Sequence, residues 1–193
     1  MLLGLGAVVL AAAIAGFLIL GGEDSEASAA DAMRAAGCEL RSYPALPAGV
    51  HINDLNARPE EWNSFPPTSG VHHSQWVIWG AYDEPVSVAQ SVHNLEHGGI
   101  VIFYGDEVPA STVEQLNLFY RDDPNAMLLA PLPELNDEIT LAAWVAPPEG
   151  EEPHRGMLAR CTTYDEEAFK AFRDEFRYKG PEAFPPEALA PGS

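Results

Sequence analysis

An α+β fold, a small and mostly antiparallel sheet with three helices packed against it, is what this sequence predicts, preceded by one N-terminal transmembrane helix. Three observations lead there. Short apolar runs rich in β-branched and aromatic residues recur between turn residues, as sheet strands do. Three longer segments carry helix start and stop signals around an apolar stripe. A run of about twenty apolar residues opens the chain, the length a helix needs to cross a bilayer. No internal repeat is visible, so one layered core is expected.

The elements follow in order. Leu2 to Leu20 holds no charged residue, so residues 1–21 are read as a transmembrane anchor or signal anchor. Ala27-Ser28-Ala29 offers a cleavage site as the alternative. The apolar run is longer than an export signal needs, and no Lys or Arg precedes it. The domain is therefore expected outside the cytoplasm, on a single-pass tether at the cell membrane. Residues 22–37, which begin Gly-Glu-Asp-Ser-Glu, are small, acidic and aperiodic, as a flexible linker is. The globular domain is placed at 38–182. Its first part, to Ser74, is rich in Pro and Gly and reads as a long ordered loop.

Strands are predicted at Trp76 to Trp79, Ile100 to Tyr104, Met127 to Ala130 and Ile139 to Val145. Pro85 to His97 forms a helix begun by Asp83, Glu84 and Pro85 and stopped by Gly98. A second helix starts at Ser111, whose Ser-Thr-Val-Glu is a capping box, and runs to about Arg121. The third is capped at Thr163-Tyr164-Asp165-Glu166, lined by Phe169, Phe172 and Phe176, and ended by Gly180-Pro181. Residues 183–193 are Pro- and Ala-rich and read as a frayed tail.

Composition narrows the function classes. With ten Lys and Arg against 29 Asp and Glu the formal charge is −19, the wrong sign for holding nucleic acid or anionic lipid through phosphate contacts. Only Cys38 and Cys161 occur. Paired, they would close a loop of roughly 120 residues, worth on the order of 4 to 5 kcal/mol in the chain-entropy model. An even count behind an export-type segment favours that pairing, and an oxidising compartment, over two buried thiols. No serine nucleophile elbow, Cys-His pair, Walker loop or dinucleotide glycine fingerprint is present, which removes the common enzyme classes they mark.

The chemistry concentrates in Val92-His93-Asn94-Leu95-Glu96-His97-Gly98-Gly99. His93-x-x-Glu96-His97 has the letters of an inverted zinc protease. On a helix at 100° per residue, Val88, Val92 and Leu95 share one face, and His93 and His97, one turn apart, share another. Two imidazoles so placed can grip one metal ion, with Glu96 supporting a ligand or acting as a general base. Further ligands come from the loop region, where His51, His72 and His73 lie, His154 being in a charged, exposed setting.

Pro66-Pro67-Thr68-Ser69-Gly70-x-His72, Trp79-Gly80-x-Tyr82-x-x-Pro85, Val92-His93-x-Leu95-Glu96-His97-Gly98, Leu129-Ala130-Pro131 and Ala143-Trp144 resemble the successive blocks of a bacterial family of unknown function, DUF3105. The resemblance spans roughly residues 38 to 182. It implies one membrane segment, an exported domain and a shared histidine site onto which His72, His93, Glu96 and His97 fall. His51 matches an upstream histidine, and His73 lies where that family is more variable. No activity comes with it.

The expectation is therefore a membrane-anchored metal-binding domain in which His51, His72, His93 and His97 hold one transition-metal ion, with Glu96 behind them. Imidazoles suit both zinc and copper, and copper leads by affinity. Met127 and Met157 are read as core residues rather than soft ligands. Two other readings stand beside it. One is an accessory or assembly subunit of a membrane complex with structural histidines. The other is a small zinc hydrolase, which would need a distant carboxylate such as Glu167 or Glu175.

Overall fold

The computed structural model describes residues 28–147, 153–182 and 184–193. The predicted anchor, with its Leu2 to Leu20 run, and the first part of the linker lie outside the described residues. Among those described, no helix is long and apolar enough to cross a membrane.

The chain begins with helix α1 (Ala29–Ala35) and strand β1 (Glu39–Pro44), followed by β2 (His51–Ile52), β3 (His72–His73) and β4 (Gly80–Ala81). Then come α2 (Val88–Glu96), β5 (Ile100–Tyr104), α3 (Ala110–Asp122), β6 (Met127–Pro131), β7 (Ile139–Val145), β8 (Arg155–Cys161) and α4 (Glu166–Phe176). Two short 3-10 turns, Pro133–Leu135 and Pro186–Leu189, complete it.

Six strands form one mixed sheet in the order β1-β8-β7-β5-β6-β4, and β2 pairs with β3 in a second, two-stranded sheet. The β1/β8, β8/β7 and β7/β5 pairs are antiparallel, while β5/β6 and β6/β4 are parallel. Parallel neighbours require crossovers, which α2 and α3 supply. The chain moves inward from β4 to β5 and outward again from β5 to β6. Connections of one hand then put the two helices on opposite faces.

The cores show that division. Ile100, Ile102, Met127, Leu129, Ile139 and Leu141 pack with α1, α3 and α4 on one face. Val101, Phe103, Leu128, Ala142 and Trp144 pack with Val88, Val92 and Leu95 of α2 on the other. Both sides of β5 are therefore covered, and all five of its residues are buried, as a continuous apolar run in a covered sheet requires.

Several expectations need correction. The six-stranded sheet is mixed, with three antiparallel pairings and two parallel ones, and the described residues hold four helices rather than three. The linker placed at 22–37 includes α1, whose Ala29 and Met33 are fully buried. Its first amide, Ala29 N–H, donates to Glu175 Oε2 at 2.6 Å, and Ser28 accepts from Asp31 as the cap. The loop from 38 to 74 contains the edge strand β1, which has no fully buried residue and so shows no apolar alternation. Trp76 to Trp79 is not a strand; pairing begins one residue later, at Gly80.

The helices begin differently too. α2 starts at Val88, because Ser87 rather than the Asp83-Glu84-Pro85 stretch caps it by accepting from Gln90 N–H. α3 begins at Ala110 after Pro109, with no side-chain cap bond, so the Ser111 capping box is not formed. In α4 the cap is Asp165, which accepts from Ala168 N–H, and Phe169, Phe172 and Phe176 are buried as the stripe predicts. The tail read as frayed is instead docked: Leu189 is buried against Trp79 and Ala126, and Ala126 N–H donates to Leu189 O. A disulfide joins Cys38 to Cys161 across 123 residues, tying the turn after α1 to the end of β8.

Candidate metal centre

Helix α2 divides its surface between core and site. Val88, Val92 and Leu95 enter the apolar core, and Asn94 clamps Val77 by accepting from its N–H and donating to its C=O. The remaining face turns His93, Glu96 and His97, all buried, toward the loop that carries β2 and β3. Those two strands pair in parallel with His51 opposite His72. His72 N–H donates to Val50 O and Ser74 N–H to Ile52 O. A two-residue sheet packed on a helix thus brings together histidines that are 42 residues apart in number, 51 against 93.

Ligand-type atoms of His51, His72, His93 and Glu96 all lie within 4.8 Å of one another. Ring centroids are 4.8 Å apart for His51 and His72, 5.2 Å for His51 and His93, and 4.8 Å for His72 and His93. His72 is fully buried and Glu96 nearly so, while 41% of the His51 side chain is exposed. The group is buried apart from one solvent-facing member.

Hydrogen bonds settle which nitrogens face inward. His72 Nδ1 lies 2.7 Å from Gly70 O, and His93 Nδ1 lies 2.9 Å from His73 O. A carbonyl oxygen only accepts, so both Nδ1 atoms carry hydrogen, and in the neutral form of each ring the lone pair is at Nε2. Metal-ligating histidines are oriented in this way by a backbone carbonyl behind them. Glu96 is oriented too, because Gly49 N–H donates to its Oε1 at 2.6 Å. Its other oxygen, Oε2, stands 3.0 Å from His72 Nε2 and 3.9 Å from His51 Nε2.

His72 Nε2 and Glu96 Oε2 are close but out of line for a hydrogen bond, and neither has another hydrogen-bond partner. With the His72 ring neutral the two are buried acceptors facing each other, a costly arrangement unless a proton or a metal cation lies between them. Donors bound at about 2.0–2.1 Å around a tetrahedral ion stand roughly 3.3 Å apart. The His72–Glu96 separation is already there, and His51, the exposed member on a two-residue strand, has the furthest to close.

Electrostatics keep the donors in ligating form. Burial holds the His93 imidazole down to about 4, only partly opposed by its bond to His73 O. His97 is lowered as well, chiefly by burial, with Glu182 pulling the other way. For Glu96, burial works to raise the carboxyl, but a protonated His72 beside it and the Gly49 amide outweigh that and leave the group below its ordinary value; with the His72 ring neutral, a cation between the two takes over the share of the proton.

Of the residues singled out from sequence, His51, His72 and His93 come together, and Glu96 joins them at ligand distance rather than behind them. His97 stands beside His93, ring centroids 4.5 Å apart, but its Nε2 faces Glu182 Oε2 at 3.3 Å. His93, His97 and Glu182 form a second group with ligand atoms within 4.8 Å of one another. His73 is bound into its own turn, accepting from Gln75 N–H. Glu167 and Glu175, the distant carboxylates a protease would need, sit on α4 across the sheet, with Glu175 engaged by Ala29.

Glu182 is the participant that sequence reasoning missed. It follows the chain's return from α4, where Tyr178 N–H donates to Gly98 O and Glu182 N–H donates to Glu96 O. Gly98 has a positive φ of 87°, and a Cβ on Gly180 would lie 2.2 Å from Gly98 N. The paired glycines let the two backbones touch, which sets Glu182 on His97 and Phe184 over its ring at 4.3 Å.

A family model described as "Protein of unknown function (DUF3105)" matches residues 56–188, which takes in His72, His93, Glu96, His97 and Glu182 but not His51. No curated protein and no solved structure matches the chain. The family model covers well over half of the sequence, and this protein belongs to the DUF3105 family.

Proposed function

We propose that this protein is a membrane-tethered, extracytoplasmic metal-binding domain in which His51, His72, His93 and Glu96 hold one divalent transition-metal ion. The observation that carries the reading is the buried facing pair, His72 Nε2 and Glu96 Oε2, with hydrogen bonds behind each that leave their lone pairs pointed at one spot. Three imidazoles and one carboxylate suit Zn²⁺ and Cu²⁺. Sulfur, which Cu⁺ would favour, is absent from the group. Copper stands ahead of zinc wherever both are offered, by the affinity order.

A hydrolytic role is less well supported. Glu96 has one oxygen committed to Gly49 and the other aimed at the imidazoles, so it acts as a ligand rather than a free base. The role as an accessory subunit draws on the exposed Trp76 and Ile78 beside the site, and a partner recovered from membranes independently of the histidines would support it.

The full chain, purified in mild detergent and dialysed against each metal, is expected to retain about one equivalent on elemental analysis. His72→Ala and His93→Ala should retain none. Equal retention by wild type and both variants would overturn the proposal.

A further inference from the structure

We propose that His97 and Glu182, with His93 as a shared donor, form an outer metal-transfer site through which the ion passes to and from the buried four-ligand site. This rests on the metal-binding reading above and adds the route.

The argument begins with the donor atoms of His93. Its Nδ1 is committed to His73 O, so one nitrogen, Nε2, remains for a metal. Yet His93 belongs to both ligand groups, the inner one with His51, His72 and Glu96 and the outer one with His97 and Glu182. A terminal imidazole nitrogen serves one ion at a time, so the two groups cannot both be filled. They are alternative positions for a single ion that pivots on His93.

Exposure gives the direction of travel. Glu182 is 55% exposed, whereas His97 is 3% and Glu96 2% exposed. A hydrated cation meets the Glu182 carboxylate first, in the field of a strongly acidic chain. It then gains His97 and His93, and finally exchanges His97 and Glu182 for the inner donors without leaving His93. At every stage at least one protein bond holds the ion, which avoids a bare ion in a dry interior. Trp76, with ring centroids 5.6 Å from His93 and 5.0 Å from His97, closes the other side of this path.

Glu182→Gln is the discriminating variant, because the side chain is more than half exposed and the backbone tie that places it, Glu182 N–H to Glu96 O, does not involve the carboxylate. In the full chain loaded with Cu²⁺ or Zn²⁺, it should keep the same single equivalent as wild type. Loading from the aqueous ion and removal by EDTA, followed in stopped flow, should both slow by about tenfold. His97→Gln should slow them likewise, and the double variant should be no slower than the slower single one, since both act on one step. Unchanged exchange rates in Glu182→Gln would overturn the transfer site while leaving the inner site standing. Loss of the bound equivalent in Glu182→Gln would also overturn it, by making Glu182 a ligand of the resident ion. A wild-type chain that holds no metal removes both proposals together.

Discussion

Replacing Glu96 by Gln should move metal affinity and metal-free stability in opposite directions. The side chain is almost fully buried, Oε1 accepts from Gly49 N–H at 2.6 Å, and Oε2 stands 3.0 Å from the Nε2 lone pair of His72. Glutamine can keep the first bond through its amide oxygen. Its NH₂ group then faces His72 Nε2 and, with a small turn of the side chain, donates to it. One unsatisfied acceptor pair becomes a hydrogen bond, worth about 1 kcal/mol. The same change removes the anionic ligand. Loss of supporting partners alone costs about 10- to 100-fold in metal affinity, so loss of a direct carboxylate should cost at least about 100-fold, or roughly 3 kcal/mol. Urea denaturation with chelator present and competition titration with metal present measure the two quantities. A Glu96→Gln chain destabilised by more than about 2 kcal/mol without metal would refute the reasoning. Such a loss would mean that His72 is an imidazolium, held in a structural ion pair whose loss leaves a charge buried.

Other perturbations probe the frame around the site. Cys38→Ser with Cys161→Ser opens a closure of 123 residues and should lower stability by about 4 to 5 kcal/mol, seen as an earlier urea midpoint. Gly180→Ala sets a methyl group 2.2 Å from Gly98 N and 2.3 Å from Glu96 O, both backbone atoms that cannot step aside. A cost of about 2 to 3 kcal/mol is expected, with faster proteolysis of the tail. Asp123 is held below its ordinary value, first by its bond to Arg177 at 2.6 Å. Its folded pKa being the lower one, this stability is in place above the usual carboxylate range and is lost as pH falls through the lowered value. With Asp123 about a third exposed and Arg177 mostly buried, the pair should contribute about 1 kcal/mol, and Asp123→Asn should remove that share of the acid dependence of unfolding. Asp165→Ala deletes the cap on Ala168 N–H and should cost about 1 kcal/mol in thermal unfolding.

Legibility in the sequence tracked burial. β5 and β7 could be read directly because both faces of those strands are covered and every residue type agrees with that. β8, whose Arg155 and Arg160 interrupt its apolar positions, and β1, whose side chains stay partly exposed at the sheet edge, carry no such pattern. The phenylalanine stripe of α4 was plain, while α1 was hidden inside a run of alanines that looks like linker until it is packed on α4. The histidine pair on α2 was visible from its spacing. Its neighbours were not, because His51 and His72 meet through a two-residue parallel ladder that leaves no local signal. Glu96 read as a support, since nothing in its letters shows that Gly49 turns its free oxygen inward. Glu182 sits past a helix terminator, at the last position before the stretch that composition alone marks as frayed. Only the contact of Gly98 with Gly180, distant in sequence, places it at the site.

X-ray absorption at the metal edge tests the central claim most directly, using the full chain loaded with one equivalent of Zn²⁺ and, separately, of Cu²⁺. Three imidazole nitrogens and one carboxylate oxygen at about 2.0–2.1 Å are predicted, with one imidazole lost in His51→Ala, which leaves the buried donors in place. A shell containing sulfur, a shell made only of oxygen, or a spectrum unaltered by His51→Ala would contradict the account.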